Sequence, residues 1–538
     1  MTRYGFALTI AFIVIAQFAL MLGFASGGEL RSFADDSVSY LVMARYLSPW
    51  TSADAATVAA WPHEIYPPLF PLLLAVVDAG NHLDRAHLVT VASYSVFLVL
   101  LAVWARRITG SARVASATVL LMAVSYYAWL HNLRILSEGL FMALVILALL
   151  VLDWAAARPR RHLVVGLILG LVVLTRSIGF ALLLAYVLHM VFAMGRREES
   201  PRGLLAGLAV ACATIIPWYV VRPEQAASRY GQGLDWALNA VEEGGLVRLL
   251  SPQLEVLDEA WIGLWTPYLL PGFGLQDLVL ILVVVFALVG LVQGLVRTRV
   301  HAWYVVISMG VLLVWPYPGQ MTRFFLCLAP LVLVLAAQAV QAGAVRVVPG
   351  RAKLLAAAVP LSLALVLALP AMGSIHGRLQ FNDTRQDYAR IAEFYITPDP
   401  KVARQRAEVQ LLMFDELRWL GANLPPDARV MALVPAYTAY LARREAISFP
   451  HHLGGLELAR ALKASGADYV WLSRLHPRFT REDVDGTAMA ARLRGLATVV
   501  RARNSQLDGR PVAVLLRVDD AALDRALVRA PGISSATN

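Results

Sequence analysis

Residues 158–197 read RPRRHLVVGLILGLVVLTRSIGFALLLAYVLHMVFAMGRR. Taken as one apolar span, this stretch would carry Arg160-Arg161 and Arg196-Arg197 on opposite sides of a bilayer. Short cytoplasmic loops collect Lys and Arg, so the charge pattern favours two helices folded back on each other with Thr175-Arg176-Ser177 at the outer tip. The first leg, 163–174, is 12 residues, about 18 Å of helix against a hydrocarbon core of about 30 Å. A leg that short leaves Arg176 below the outer headgroup plane, where a guanidinium is costly without a partner and marks a functional site.

The rest of the chain extends this reading. Its 538 residues are 59% apolar and only 16% charged, whereas soluble domains carry about 25% charged residues. Ordinary Pro and Gly usage and two cysteines, Cys212 and Cys327, exclude collagen, disordered and disulfide-stapled classes. Apolar runs at 4–24, 86–105, 112–130, 135–152, 163–174, 177–195, 203–221, 278–296, 302–316, 324–342 and 354–372 predict eleven spans, the first kept as an anchor because it has no clear cleavage site. The net charge of +10 is explained by topology and not by nucleic acid. Arginines cluster in alternate turns, at 106–113, 158–161, 196–202, 297–299 and 346–351. The other face receives a first outer loop (25–85), a middle outer loop (222–277), three tight links holding Arg134, Arg176 and Arg323, and the region after 372.

The chain therefore divides into a membrane domain, 1–372, and a soluble outer domain, 373–538. In the latter, strand-like 428–435 and 468–473, helix 455–465 and a hairpin from 497–503 and 511–518 alternate as in an α/β fold. The near absence of Lys beside abundant Ala, Leu and Arg suits a GC-rich bacterial genome, hence a multi-pass inner-membrane protein with a periplasmic C-terminal domain.

Polar residues on the outer face concentrate in a few places. Asp35-Asp36 open a segment in which Val38, Leu41 and Val42 share a face, as in an amphipathic helix on the membrane surface. Asp36 suits an N-cap as well as catalysis. Glu64 and Tyr66 precede Pro67-Pro68, a rigid start to a short apolar helix, where a solvated Glu and an interfacial aromatic are the plain alternative. Arg134 and Glu138 have the spacing of a simple helical ion pair. Arg323 suits an interfacial anchor. The histidines, His451-His452 included, lack metal-ligand spacing. Carboxylates and guanidiniums grouped on one membrane face suit holding a phosphate at headgroup depth and activating a hydroxyl.

In its order of motifs the chain resembles the GT-C superfamily of polyprenyl-phosphate-dependent glycosyltransferases, which includes protein O-mannosyltransferases and the lipid A aminoarabinose transferase. The resemblance rests on Asp35-Asp36 with Tyr40-Leu41 and Ala44-Arg45, Tyr66-Pro67-Pro68-Leu69, Ser137-Glu138-Gly139, Thr175-Arg176-Ser177 and Arg323-Phe324-Phe325, across roughly residues 1–345. It implies a polytopic α-helical GT-C fold and an enzyme that moves a sugar from a polyprenyl-phosphate donor to a lipid, glycan or protein hydroxyl. Asp35 is then the general base, and Asp36, where the family has Glu, orients the site or helps hold a divalent metal. Some relatives carry Lys where this chain has Tyr66, so phosphate binding falls to Arg176 and Arg323, with Tyr40, Glu64, Tyr66 and Glu138 toward substrate. Direct displacement by a single base inverts the anomeric centre. A flippase for the lipid-linked sugar would use the arginines but not the paired Asp, and a mere anchor for the outer domain would need neither.

Overall fold

A computed structural model describes residues 2–25, 30, 32, 35–64, 66–155, 158–196, 200–222, 224–266, 274–373, 388, 391–397, 399–475 and 486–528, with the side chains of 35, 63, 224–234, 393 and 396 left out. The chain forms two compact units. The first joins Met1–Arg31, Ile65–Val77 and His82–Asn382; the second joins Ser32–Glu64, Asp78–Asn81 and Asp383–Asn538. The units part at Asn382/Asp383, where 372/373 was expected, and most of the first loop groups with the C-terminal body.

Helices run in chain order as α1 (Arg3–Ala25), α2 (Asp35–Tyr46), α3 (Ala55–Ala60), α4 (Leu69–Val76), α5 (Leu83–Thr109), α6 (Ala112–Ala123), α7 (Tyr126–Leu133) and α8 (Glu138–Ala155). There follow α9 (His162–Thr175), α10 (Phe180–Gly195), α11 (Pro201–Val221), α12 (Glu224–Glu255), α13 (Leu257–Gly263), α14 (Leu275–Val296), α15 (Val300–Leu313), α16 (Met321–Val347) and α17 (Ala352–Leu363). Of these, α2 and α3 lie in the second unit.

The first unit is a polytopic membrane bundle. Each of the eleven apolar runs contains a helix, although 124–125, 135–137 and 314–316 are not helical. Among the described residues eight helices are long and apolar enough to cross a membrane, nine if α6 and α7, bent by 54°, count as one. The expected span 112–130 breaks at Val124-Ser125 because Ser125 starts a new helix, its hydroxyl accepting from the Ala128 N–H and donating to the Leu264 carbonyl at 3.0 Å. The middle loop 222–277 is largely helical, α12 kinking at Gly245 with φ +67. α14 shows how the bundle meets its solvent: Val279, Leu280, Val283, Ala287, Gly290 and Gly294 are buried as one stripe, while Leu282, Val285, Leu288 and Val292 are exposed. An apolar helix with so much apolar surface outward is suited to lipid.

Small residues set the closest helix approach. A Cβ on Gly166 of α9 would fall on the Gly207 carbonyl oxygen of α11, a backbone-to-backbone contact of the kind that packs helices in bilayers. Gly166→Val is expected to lower the melting temperature of the detergent-solubilised protein. Gly343→Ala in α16, where a Cβ meets nothing within 4 Å, is expected to leave it unchanged or slightly raised.

The second unit carries a five-stranded sheet in the order β2-β1-β3-β5-β4. Its strands are β1 (Arg429–Ala432), β2 (Glu445–Ser448), β3 (Tyr469–Ser473), β4 (Ala497–Asn504) and β5 (Pro511–Val518). β1 pairs parallel with β2 and β3, and β5 pairs antiparallel with β3 and β4. The expected α/β alternation is present, with the short β2 added. Helix Pro400–Asn423 covers the sheet and is tied to β4 by Arg501, whose guanidinium donates to both Glu416 oxygens at 2.7 and 2.9 Å.

α2 differs from its expectation. It is not half-exposed: every residue from Ser37 to Arg45 is buried. The residues foreseen for lipid are buried instead, and α2 packs on α3 and on the helical turns at 435–442 of its own unit.

Candidate functional site

Three chain breaks in the membrane unit bring charge together. α7 ends at Leu133, Arg134 turns extended at φ −87 and ψ 156, and α8 starts at Glu138, whose carboxylate gains from the helix N-terminus. α9 ends at Thr175 and Arg176 is extended at φ −152 and ψ 138 before the turn Ser177–Gly179 leads into α10, so the expected hairpin break is where the charge pattern put it. After the turn Pro318–Gln320, Arg323 lies in the first turn of α16.

These ends meet on one carboxylate. Glu138 Oε1 accepts from Arg176 Nη1 at 2.8 Å and from Arg323 Nε. Arg176 Nη1 also donates to Ser137 Oγ at 3.2 Å, and its guanidinium carbon lies 5.6 Å from the centre of the Phe324 ring. The Glu138 side chain is 2% exposed, those of Arg176 and Arg323 11% and 15%. Glu138 Oε2 is buried without a hydrogen-bond partner among the described residues. Two guanidiniums against one carboxylate leave this trio with a net positive charge.

The Arg134–Glu138 helical pair expected from spacing is replaced. No helix runs through 134–138, because Arg134 caps α7 and Glu138 opens α8, so the one-turn geometry the pairing assumed is absent. Glu138 bridges Arg176 and Arg323 instead. Ser137, of the Ser137-Glu138-Gly139 motif, joins the cluster as a hydrogen-bond acceptor.

Other expected site residues lie elsewhere in the chain's organisation. Asp35 and Asp36 begin α2 in the second unit; Asp36 is half-buried, and the Asp35 side chain lies outside the described residues. Tyr40 and Glu64, 1% and 2% exposed, are in the same unit. Tyr66, half-buried, precedes α4 in the first. Among the described residues no three His, Cys, Asp or Glu side chains group as a metal site.

Comparison with known proteins gives this architecture a context. Residues 66–220 match the family model described as dolichyl-phosphate-mannose-protein mannosyltransferase. Over 96% of its length the chain is similar to 98% of ArnT from Cupriavidus metallidurans bound to undecaprenyl phosphate, at 14% identity and a TM-score of 0.51. The apo state of that protein gives 12% identity, 97% and 99% coverage and a TM-score of 0.50. The Archaeoglobus fulgidus oligosaccharyltransferase, in a complex with Zn and sulfate, is 13% identical over 86% of this chain and 68% of its own, at a TM-score of 0.49. No curated protein matches.

Proposed function

We propose that this chain, which has the GT-C fold, is a membrane glycosyltransferase. It moves a sugar from a polyprenyl-phosphate donor to a hydroxyl acceptor on the periplasmic face of a bacterial inner membrane. The observation that carries this reading is the buried pairing of Arg176 and Arg323 around Glu138 at the ends of apolar helices. A sugar-phosphate-polyprenol is a phosphodiester with one negative charge, which matches the net charge of the trio. When the anomeric C–O bond breaks, its electron pair stays on the phosphate, which gains a second charge. Guanidiniums already held in place by Glu138 stabilise that charge without reorganising. Glu138 is then an organiser of the phosphate site.

On the acceptor side, the attacking hydroxyl forms the new anomeric C–O bond and passes its proton to a carboxylate. We assign that carboxylate to Asp35, with Asp36 orienting the head of α2. General-base help of this type is worth about 10²–10⁴-fold. Glu64 and Tyr66 are assigned to the sugar hydroxyls. Tyr40 is likewise assigned toward substrate. Asp35 and Asp36 are the carboxylates that would hold a divalent metal, which would supply stabilisation of negative charge; no step here passes through one.

A single displacement inverts the anomeric centre, and NMR of the product is expected to show the opposite configuration to the donor. Retention would overturn the one-base scheme. The function itself is tested by deletion of the gene and mass spectrometry of lipid-linked sugars. One glycosylated polyprenyl phosphate is expected to accumulate while a surface glycan loses the same sugar. An unchanged lipid-linked pool would contradict the reading.

A further inference from the structure

The last turn of α2 carries Arg45, 5% exposed and without a carboxylate in ion-pair contact among the described residues. Its guanidinium is held by neutral groups from two distant segments of the same unit. Nη1 donates to the Tyr440 carbonyl at 3.2 Å, Nη2 donates to the Gly80 carbonyl at 3.3 Å, and the guanidinium carbon lies 4.2 Å from the centre of the Tyr440 ring. The Tyr440 hydroxyl closes the ring of contacts by donating to the same Gly80 carbonyl at 3.1 Å. Gly80 lies so close to α2 that a Cβ would come within 2.7 Å of Arg45 N and 2.9 Å of Arg45 Cα. A weaker tie runs beside it, from Arg443 Nη1 to Asp54 Oδ2 at 4.0 Å. Burial lowers the Arg45 pKa, against an opposing contribution from Tyr440.

Burying an unpaired guanidinium costs free energy that an apolar residue would not. What it supplies is direction: two aimed hydrogen bonds and a stacked ring fix both position and rotation of a helix end. We propose that Arg45 is a positioning residue, through which the C-terminal body, by Tyr440 and Gly80, sets the pose of α2 and so of the acid at its other end. This rests on the reading of Asp35 as the base. Ten residues of helix separate Arg45 from Asp35, a lever of about 15 Å at 1.5 Å per residue. A tilt of roughly 4° moves the far end by about 1 Å, a displacement that can cost about 10²-fold in rate. The C-terminal domain would thereby act on turnover without contributing a group to the chemistry.

The test uses the full-length protein and the variants Arg45→Met, Arg45→Lys, Gly80→Ala, Tyr440→Phe and Asp35→Asn. Three quantities are read: in-cell transfer in the deletion strain, deuterium uptake of peptides within 36–46 and 438–442, and affinity for undecaprenyl phosphate. Arg45→Met and Gly80→Ala are expected to lower transfer by about 10²-fold, raise uptake in both peptides and leave undecaprenyl phosphate affinity unchanged. Arg45→Lys recovers little, since an ammonium does not reproduce the two-pronged, stacked geometry. Tyr440→Phe removes one hydrogen bond and is expected to speed exchange by about fivefold, which carries the test should Arg45→Met fail to accumulate. Asp35→Asn is expected to lose transfer with uptake unaltered. Raised uptake with normal transfer in Arg45→Met would overturn the positioning role and leave the base standing. Unchanged uptake in both Arg45→Met and Tyr440→Phe would overturn the tether itself. Transfer lost in Arg45→Met but kept in Asp35→Asn would remove the base assignment and leave α2 tethered for another residue.

Discussion

Asp35→Asn is expected to abolish sugar transfer, by a factor of about 10²–10⁴, in a protein that inserts and folds like the parent. Asparagine keeps the size of the side chain, so a purely structural role for Asp35 at the start of α2 predicts almost no effect. The general-base reading predicts near-complete loss, because an amide cannot take the acceptor's proton. Mass spectrometry of the lipid-linked donor in the complemented deletion strain separates the two. Donor that accumulates as in the deletion supports the base, and donor that clears normally removes it.

Glu138→Ala is the second large effect, and it falls on stability. Removing the carboxylate leaves the buried guanidiniums of Arg176 and Arg323 facing each other without the group that bridges them. Loss of one partner from a buried ion pair typically costs about 3–5 kcal/mol. The melting temperature of the purified protein should fall clearly, and Glu138→Gln, which keeps one acceptor, should fall between. An anion that fills the same place reverses part of the loss by mass action. Undecaprenyl phosphate is therefore expected to restore more of the melting temperature in Glu138→Ala than it adds to the parent. Equal melting temperatures for the three proteins would mean that the trio contributes no net stability.

Much of the membrane unit was legible because two strong signals coincide in it. Long apolar runs can only be helices in lipid, and alternating arginines assign their loops. The break at Arg176 follows from both. The breaks at Ser125 and 134–137 do not, since neither contains Gly or Pro, and a Ser cap is a weak mark inside an apolar run. That missed break explains the mistaken partner for Glu138: i, i+4 spacing means proximity only while the helix continues. The C-terminal sheet was readable where strands alternate over several residues. The four residues of β2, following Arg443 at φ +50, are too few for periodicity to register. The burial of α2 was out of reach for another reason. Its packing includes Tyr440 meeting Arg45, a contact across 395 positions that no local pattern encodes.

The most direct test of the phosphate site compares binding of undecaprenyl phosphate and uncharged undecaprenol to the purified parent, Arg176→Gln and Arg323→Gln, each verified as folded by its melting curve. The parent is expected to prefer the phosphate, and each Gln variant to lose about 10–100-fold of that preference, the worth of a charge-assisted hydrogen bond. Folded variants that keep the parent's full preference for the phosphate would contradict the account.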